Sequence, residues 1–91
     1  MLLIGRLDDC DVVLLDRTVS RHHAALVMFG GRWFVIDHGS TNGTWVNNRR
    51  IWGLFAVRPG DELRLGLVSL RLGPPYTRNV PGLEDTVIRA V

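Results

Sequence analysis

The sequence predicts an all-β fold, a two-sheet antiparallel β-sandwich, on three observations. Its apolar runs are short and tend to alternate with polar residues, turn-forming Gly, Asn, Asp and Pro recur between them, and no helical period outlasts one turn. Residues 2–4 and 12–15 read as two short strands divided by the turn Asp8-Asp9-Cys10-Asp11. Residues 23–29 form a longer strand, Gly30-Gly31 suits the left-handed corner of a tight hairpin, and residues 32–37 return with Trp33 and Val35 on one face. The turn-rich Gly39-Ser40-Thr41-Asn42-Gly43 leads into strands at 44–47 and 50–52. Arg58-Pro59-Gly60-Asp61 makes a further turn, and Leu63, Leu65, Val68, Leu70 and Leu72 supply a closing hairpin. From Pro74 onward Pro, Asn and Gly occur without periodicity, so residues 1–73 read as the domain and 74–91 as a flexible tail.

Composition limits what such a sandwich can do. With 91 residues, 46% apolar and 22% charged, the chain has the balance of one globular domain with one modest core. No window approaches the roughly 18 to 20 apolar residues of a membrane-crossing helix, and Met1-Leu2-Leu3-Ile4 is too short for a signal peptide. The expected location is the cytoplasm, and no membrane partner is expected. The single Cys10 has no cysteine to pair with and none of the companions that a cysteine-rich zinc site needs. All eleven basic residues are arginine, whose planar fork suits phosphate and carboxylate, yet nine acidic residues leave a net charge of only +2. That is far from a nucleic-acid-binding surface, so an anionic ligand should be small and local.

The stretch Val19-Ser20-Arg21-His22-His23 carries the densest chemistry. A triad of Ser20, His22 or His23, and Asp37 can be drawn, but the Gly-x-Ser-x-Gly elbow is absent and a Ser and His so close in one loop seldom align as nucleophile and base. No enzymatic activity is expected. His22, His23 and His38 show no metal-ligand spacing, so neither a metal nor any other cofactor is expected; one buried and one exposed histidine is the simpler reading. Anion binding fits better. Loops at one end of a sandwich converge, which would gather Gly5-Arg6, Ser20-Arg21 and Thr41-Asn42-Gly43. A guanidinium, two hydroxyls, a carboxamide and free backbone N–H groups suit a dianion such as a side-chain phosphate.

Gly5-Arg6, then Ser20-Arg21-x-His23 with the serine fourteen residues after Arg6, then Gly39-Ser40-Thr41-Asn42-Gly43-Thr44 with Asn47 following, resembles a forkhead-associated (FHA) domain from about Ile4 to Gly73. The resemblance implies a phosphothreonine-peptide reader in Ser/Thr-kinase signalling, its partner a phosphothreonine-containing protein, the kinase or its substrate. It implies that Arg6 pairs with the phosphate, that Ser20 and Thr41 donate to it, that Arg21 contacts phosphate or peptide backbone, and that Asn42 holds the peptide main chain. Gly5, His23 and Gly43 would be architectural. It also implies two leading strands beside the closing one, and here only four residues precede Gly5. Residues 68–72 should then present an open edge and a route to self-association.

Two rival readings stand beside this one. An FHA-like fold could bind protein partners without reading phosphate. Alternatively Arg49-Arg50, Arg58, Arg64 and Arg71 could form a nucleic-acid stripe, although Arg64 and Arg71 fall opposite Leu63, Leu65, Leu70 and Leu72, as a solvated face does, and no nucleic-acid partner is expected. In the tail, Thr86 lies between Glu84-Asp85 and Val87-Ile88-Arg89 in the manner of a bacterial kinase acceptor, and if phosphorylated it could occupy the domain's own site.

Overall fold

The computed structural model describes residues 1–73 and the strand Ile88–Ala90. One sheet has the order β2-β1-β3-β4-β7, from Val12–Val13, Leu2–Gly5, Ala24–Phe29, Arg32–Asp37 and Leu54–Val57. The other runs β10-β9-β8-β5-β6, from Ile88–Ala90, Val68–Leu72, Glu62–Leu65, Thr44–Val46 and Arg49–Arg50. The sandwich is as the sequence predicts, and all its pairings are antiparallel except β1 with β2. Asp11 sets that parallel pair: its carboxylate accepts the Leu3 N–H at 2.8 Å and its own N–H donates to the Leu3 carbonyl at 2.9 Å.

Alternation builds the core. Ile4, Ala24, Leu26, Val35 and Val57 from the first sheet meet Val46, Leu63, Leu65, Leu70 and Leu72 from the second, with Val19 and Ile51 joining from outside the strands. Each large side chain so buried stabilises the fold by about 1.5–3 kcal/mol. The turns hold the register. Gly30 and Gly31 both adopt positive φ between Phe29 and Arg32, and Asn47 and Asn48 do the same between Val46 and Arg49. Both are two-residue corners that favour Gly and Asn.

Two expectations are corrected. Residues 68–72 are not an open edge, because Ile88–Ala90 pairs antiparallel with them, Ile88 facing Leu72 and Ala90 facing Leu70. Those three residues fall in the stretch read as a flexible tail; three residues carry no legible period, and their pairing comes from the edge they cover. Arg64 points outward opposite the buried Leu63 and Leu65, as expected, but it is half-buried rather than freely solvated. On the outer face its guanidinium lies 4.4 Å from the Trp45 ring centre, and Arg50 lies 5.7 Å from Trp45 and 4.4 Å from Trp52. The pairing of Trp45 with Arg50 and Arg64 across β5, β6 and β8 causes this stack. Arg71 is exposed and donates to the Gly60 carbonyl at 2.9 Å.

Candidate functional site

Register decides which loops meet. Ile4, Ala24 and Asp37 stand side by side across β1, β3 and β4, and Thr44 opposes Leu65 across β5 and β8. The segments beyond them, with Arg6, Ser20–Arg21, Thr41–Gly43 and Gly66, therefore gather at one end.

At that end Arg6 is exposed, and its Nε donates to the Val19 carbonyl at 3.0 Å, which orients the guanidinium and leaves its terminal nitrogens without a hydrogen-bond partner among the described residues. The Arg6 amide donates to the carbonyls of both Ser20 and Arg21, each at 3.1 Å. Gly5 permits this approach, because a Cβ there would collide with the Arg21 carbonyl and stand 2.9 Å from Cys10 Sγ.

His23 joins the remaining loops. It is fully buried, its Nδ1 accepts the Ser20 N–H at 3.0 Å, and its Nε2 lies 2.9 Å from the Gly43 carbonyl. An amide can only donate, so Nδ1 carries the lone pair and Nε2 carries the proton. Burial drives the imidazole pKa below the ordinary histidine value, against the opposing pull of the Gly43 carbonyl and the Asp37 carboxylate. The ring is thus neutral and bridges the Ser20 and Gly43 segments.

Further bonds close the assembly. Ser20 Oγ accepts the Thr41 N–H at 3.2 Å, and Asn42 Nδ2 donates to the Thr18 carbonyl at 2.9 Å. Asp37 receives the Ser40 and Thr44 hydroxyls, each at 2.6 Å, and the Ser40 amide at 3.0 Å. Burial alone would raise its pKa, but these bonds outweigh it and hold the carboxyl below the usual aspartate range. Thr18 is a hub that the sequence reading missed. Its N–H and hydroxyl both bond to Asp16, at 2.8 and 2.5 Å, and its Oγ1 accepts the Leu67 N–H at 2.9 Å. The Thr18 bonds hold the Asp16 carboxyl below its ordinary pKa. The Asp16-x-Thr18 spacing is the signal that could have found this turn, since an Asp side chain commonly caps the amide two residues on.

Arg6, Ser20, Thr41 and Asn42 are therefore brought to one end and linked through shared neighbours. Arg21 is exposed there, its side chain hydrogen-bonded to nothing among the described residues. Arg6 also lines a cavity of about 580 Å³ with Leu15, Asp16 and Arg17, so Arg17 adds a third guanidinium beside Arg6 and Arg21, one that sequence reasoning did not select. The catalytic triad does not form. Ser20 meets His23 through its amide rather than its hydroxyl, and the Asp37 oxygens are engaged by Ser40 and Thr44. Nor do the three histidines converge: His23 lies between the loops, His22 pairs with Asp9, and His38 is exposed. Thr86 lies outside the described residues.

Comparison with known proteins agrees with this geometry. The FHA domain model matches residues 2–66. The chain is 41% identical over 73 residues to the FHA domain-containing protein FhaB of Mycobacterium tuberculosis, a match spanning 80% of this chain and 47% of FhaB, so the chain spans about half the length of this relative. It is also similar to the solved Mycobacterium tuberculosis EmbR in complex with a low-affinity phosphopeptide (41% identity, TM-score 0.68, 70% of this chain and 17% of that one). A third similarity is to the FhaA FHA domain complexed with the intracellular domain of Rv3910 (37% identity, TM-score 0.69, 75% of this chain and 74% of that one). The family match spans Arg6, Ser20 and Thr41–Gly43, and together with the identity to FhaB and the superposable sandwich it shows that the chain belongs to the FHA-domain family.

Proposed function

We propose that the chain is a phosphothreonine-peptide recognition module of Ser/Thr-kinase signalling and that it acts by binding rather than catalysis. The observation that carries this is the fixing of two loops by one buried neutral histidine. His23 holds Ser20 and Gly43, while the exposed Arg6 is tethered through Nε and its terminal nitrogens have no partner among the described residues. A phosphate presented there meets donors already in position, so little ordering accompanies binding. Arg6 supplies the charge, Ser20 and Thr41 donate hydroxyl or amide hydrogens, Arg21 reaches phosphate or peptide backbone, and Asn42 holds the peptide main chain. Gly5, His23 and Gly43 keep the loops at bonding distance. EmbR, solved with a phosphopeptide, supports the reading by similarity.

Calorimetric titration with a phosphothreonine peptide library and its dephosphorylated counterparts tests the proposal. Binding that disappears on dephosphorylation is expected; binding unchanged by phosphatase would favour a phosphate-independent interaction module instead. Thr86 is proposed as an acceptor for a Ser/Thr kinase. The strand that follows it begins with Ile88 against Leu72, at the end of β9 away from Gly66. Two residues reach at most about 7 Å, so phosphothreonine 86 occupies the site only when β10 releases. Kinase treatment that weakens peptide binding in the wild type and not in Thr86→Ala is the expected result.

A further inference from the structure

The β1–β2 turn and the Arg21–His22 segment bring three unlike donor groups together. The Asp9 carboxylate oxygens lie 2.9 and 3.1 Å from His22 Nε2, Cys10 Sγ is 3.9 Å from Asp9 Oδ1, and one donor atom from each side chain falls within 4.8 Å of the others. We propose that Asp9, Cys10 and His22 form a binding site for a divalent transition-metal cation, zinc being the ion their donor set fits best.

Geometry supports this first. Zinc holds thiolate, imidazole and carboxylate at about 2.0–2.3 Å in a tetrahedron, which sets donor atoms roughly 3.3–3.6 Å apart. The separations here straddle that range, so side-chain shifts of about an ångström complete three corners and leave the fourth to water. Donor chemistry narrows the ion. Carboxylates alone would suit magnesium or calcium, whereas a thiol and an imidazole favour zinc and its neighbours. A thiol that coordinates such an ion loses its proton to do so, and no pre-formed thiolate is needed.

Charge and access point the same way. Asp8, Asp9 and Asp11 crowd the turn, and among the described residues no arginine pairs with their carboxylates, although the chain is rich in arginine; the imidazole of His22 lies against Asp9 instead. Asp9 and His22 are 63% and 43% exposed at their side chains, and Cys10 is 7% exposed. An ion would enter past the first two and seat on the third. Reading the histidines alone hides this site, because only one of them belongs to it. Cys10 Sγ lies 3.4 Å from the Arg21 carbonyl, which also accepts the amides of Arg6 and Leu7. A bound ion would therefore tie the turn after Arg6 to the loop that presents Ser20.

Cobalt(II) titration of the whole chain under reducing conditions tests the proposal, with cobalt as the spectroscopic substitute for zinc. A thiolate-to-cobalt charge-transfer band saturating at one metal per chain and displaced by zinc is expected. Cys10 is the only cysteine, so the band reports this site alone. Asp9→Asn and His22→Gln are exposed changes that leave the core untouched, and each should weaken binding by more than about tenfold, the least that loss of even an outer-shell partner costs a metal site. Absence of the band overturns the proposal, as does saturation at one metal per two chains, which would mean a site shared by two thiols. A band of undiminished affinity in His22→Gln overturns it as well.

Discussion

Arg6 is the residue on which phosphate recognition should turn. Its Nε bond to the Val19 carbonyl fixes the guanidinium plane, and a phosphate can then take two charge-assisted bonds from the terminal nitrogens. Such bonds net about 1.5–3 kcal/mol each, so Arg6→Ala should weaken phosphopeptide binding at least about a hundredfold. The side chain is exposed, so the variant should melt close to the wild type; calorimetry and a melting curve read both outcomes. His23 sets a second test. Its folded pKa lies below the unfolded value near 6.5, so the unfolded chain binds the proton more readily. Stability is then fully present above about pH 6.5 and falls as pH drops below it, with a slope that can approach about 1.4 kcal/mol per pH unit. Urea unfolding of the free domain at several pH values checks this. His23→Gln should be less stable than the wild type and should lack most of the slope.

Among the elements, β10 carries the strongest prediction. Cutting the chain after Gly73 removes the strand that covers β9 and exposes unpaired N–H and C=O groups along Val68–Leu72. Loss of a few cross-strand pairs and hydrogen bonds should cost about 1–3 kcal/mol, which for a domain of this size lowers Tm by roughly 5–15 °C. Sedimentation velocity should find the shortened protein self-associating and the whole chain monomeric. How far the sequence reveals its elements follows from the same physics. The β3–β4 hairpin is legible because Gly-Gly needs positive φ and both flanks are β-prone, and β8–β9 because leucines recur at every second position. Strand β7 is not, since Trp52-Gly53 precedes it and Leu54-Phe55-Ala56-Val57 is apolar throughout, as an edge strand with Leu54 left exposed need not be. Most loop residues of the site were legible as motifs, whereas Asp16, Arg17 and Thr18 join it only through folding, by turn bonds and a shared cavity.

At the scale of the whole molecule, the arginines divide by surroundings rather than forming a stripe. Arg6 and Arg17 share the cavity at the loop end, Arg50 and Arg64 stack on tryptophans, and Arg32, Arg49 and Arg58 line a separate cleft of about 410 Å³ with Asp61. Arg32 opens β4 and Asp37 closes it, so that cleft and the binding loops lie toward opposite ends of the sheet. Among the described residues these arginines therefore fall into separate groups, each with its own neighbours.

The tryptophan–arginine stack reaches the site at Gly43, where an added Cβ would lie 2.9 Å from Arg50 Nε and 3.1 Å from Trp45 Nε1. Both nitrogens are buried without a hydrogen-bond partner, and the indole lies against two guanidinium groups in an arrangement that a small displacement of Asn42–Gly43 would disturb. The domain thus contains an optical probe of its own occupancy. Phosphopeptide should change the tryptophan emission in a saturable way, Trp45→Phe should remove most of that change without altering the calorimetric affinity, and Trp52→Phe, which removes a ring 75% exposed to solvent, should leave most of it in place.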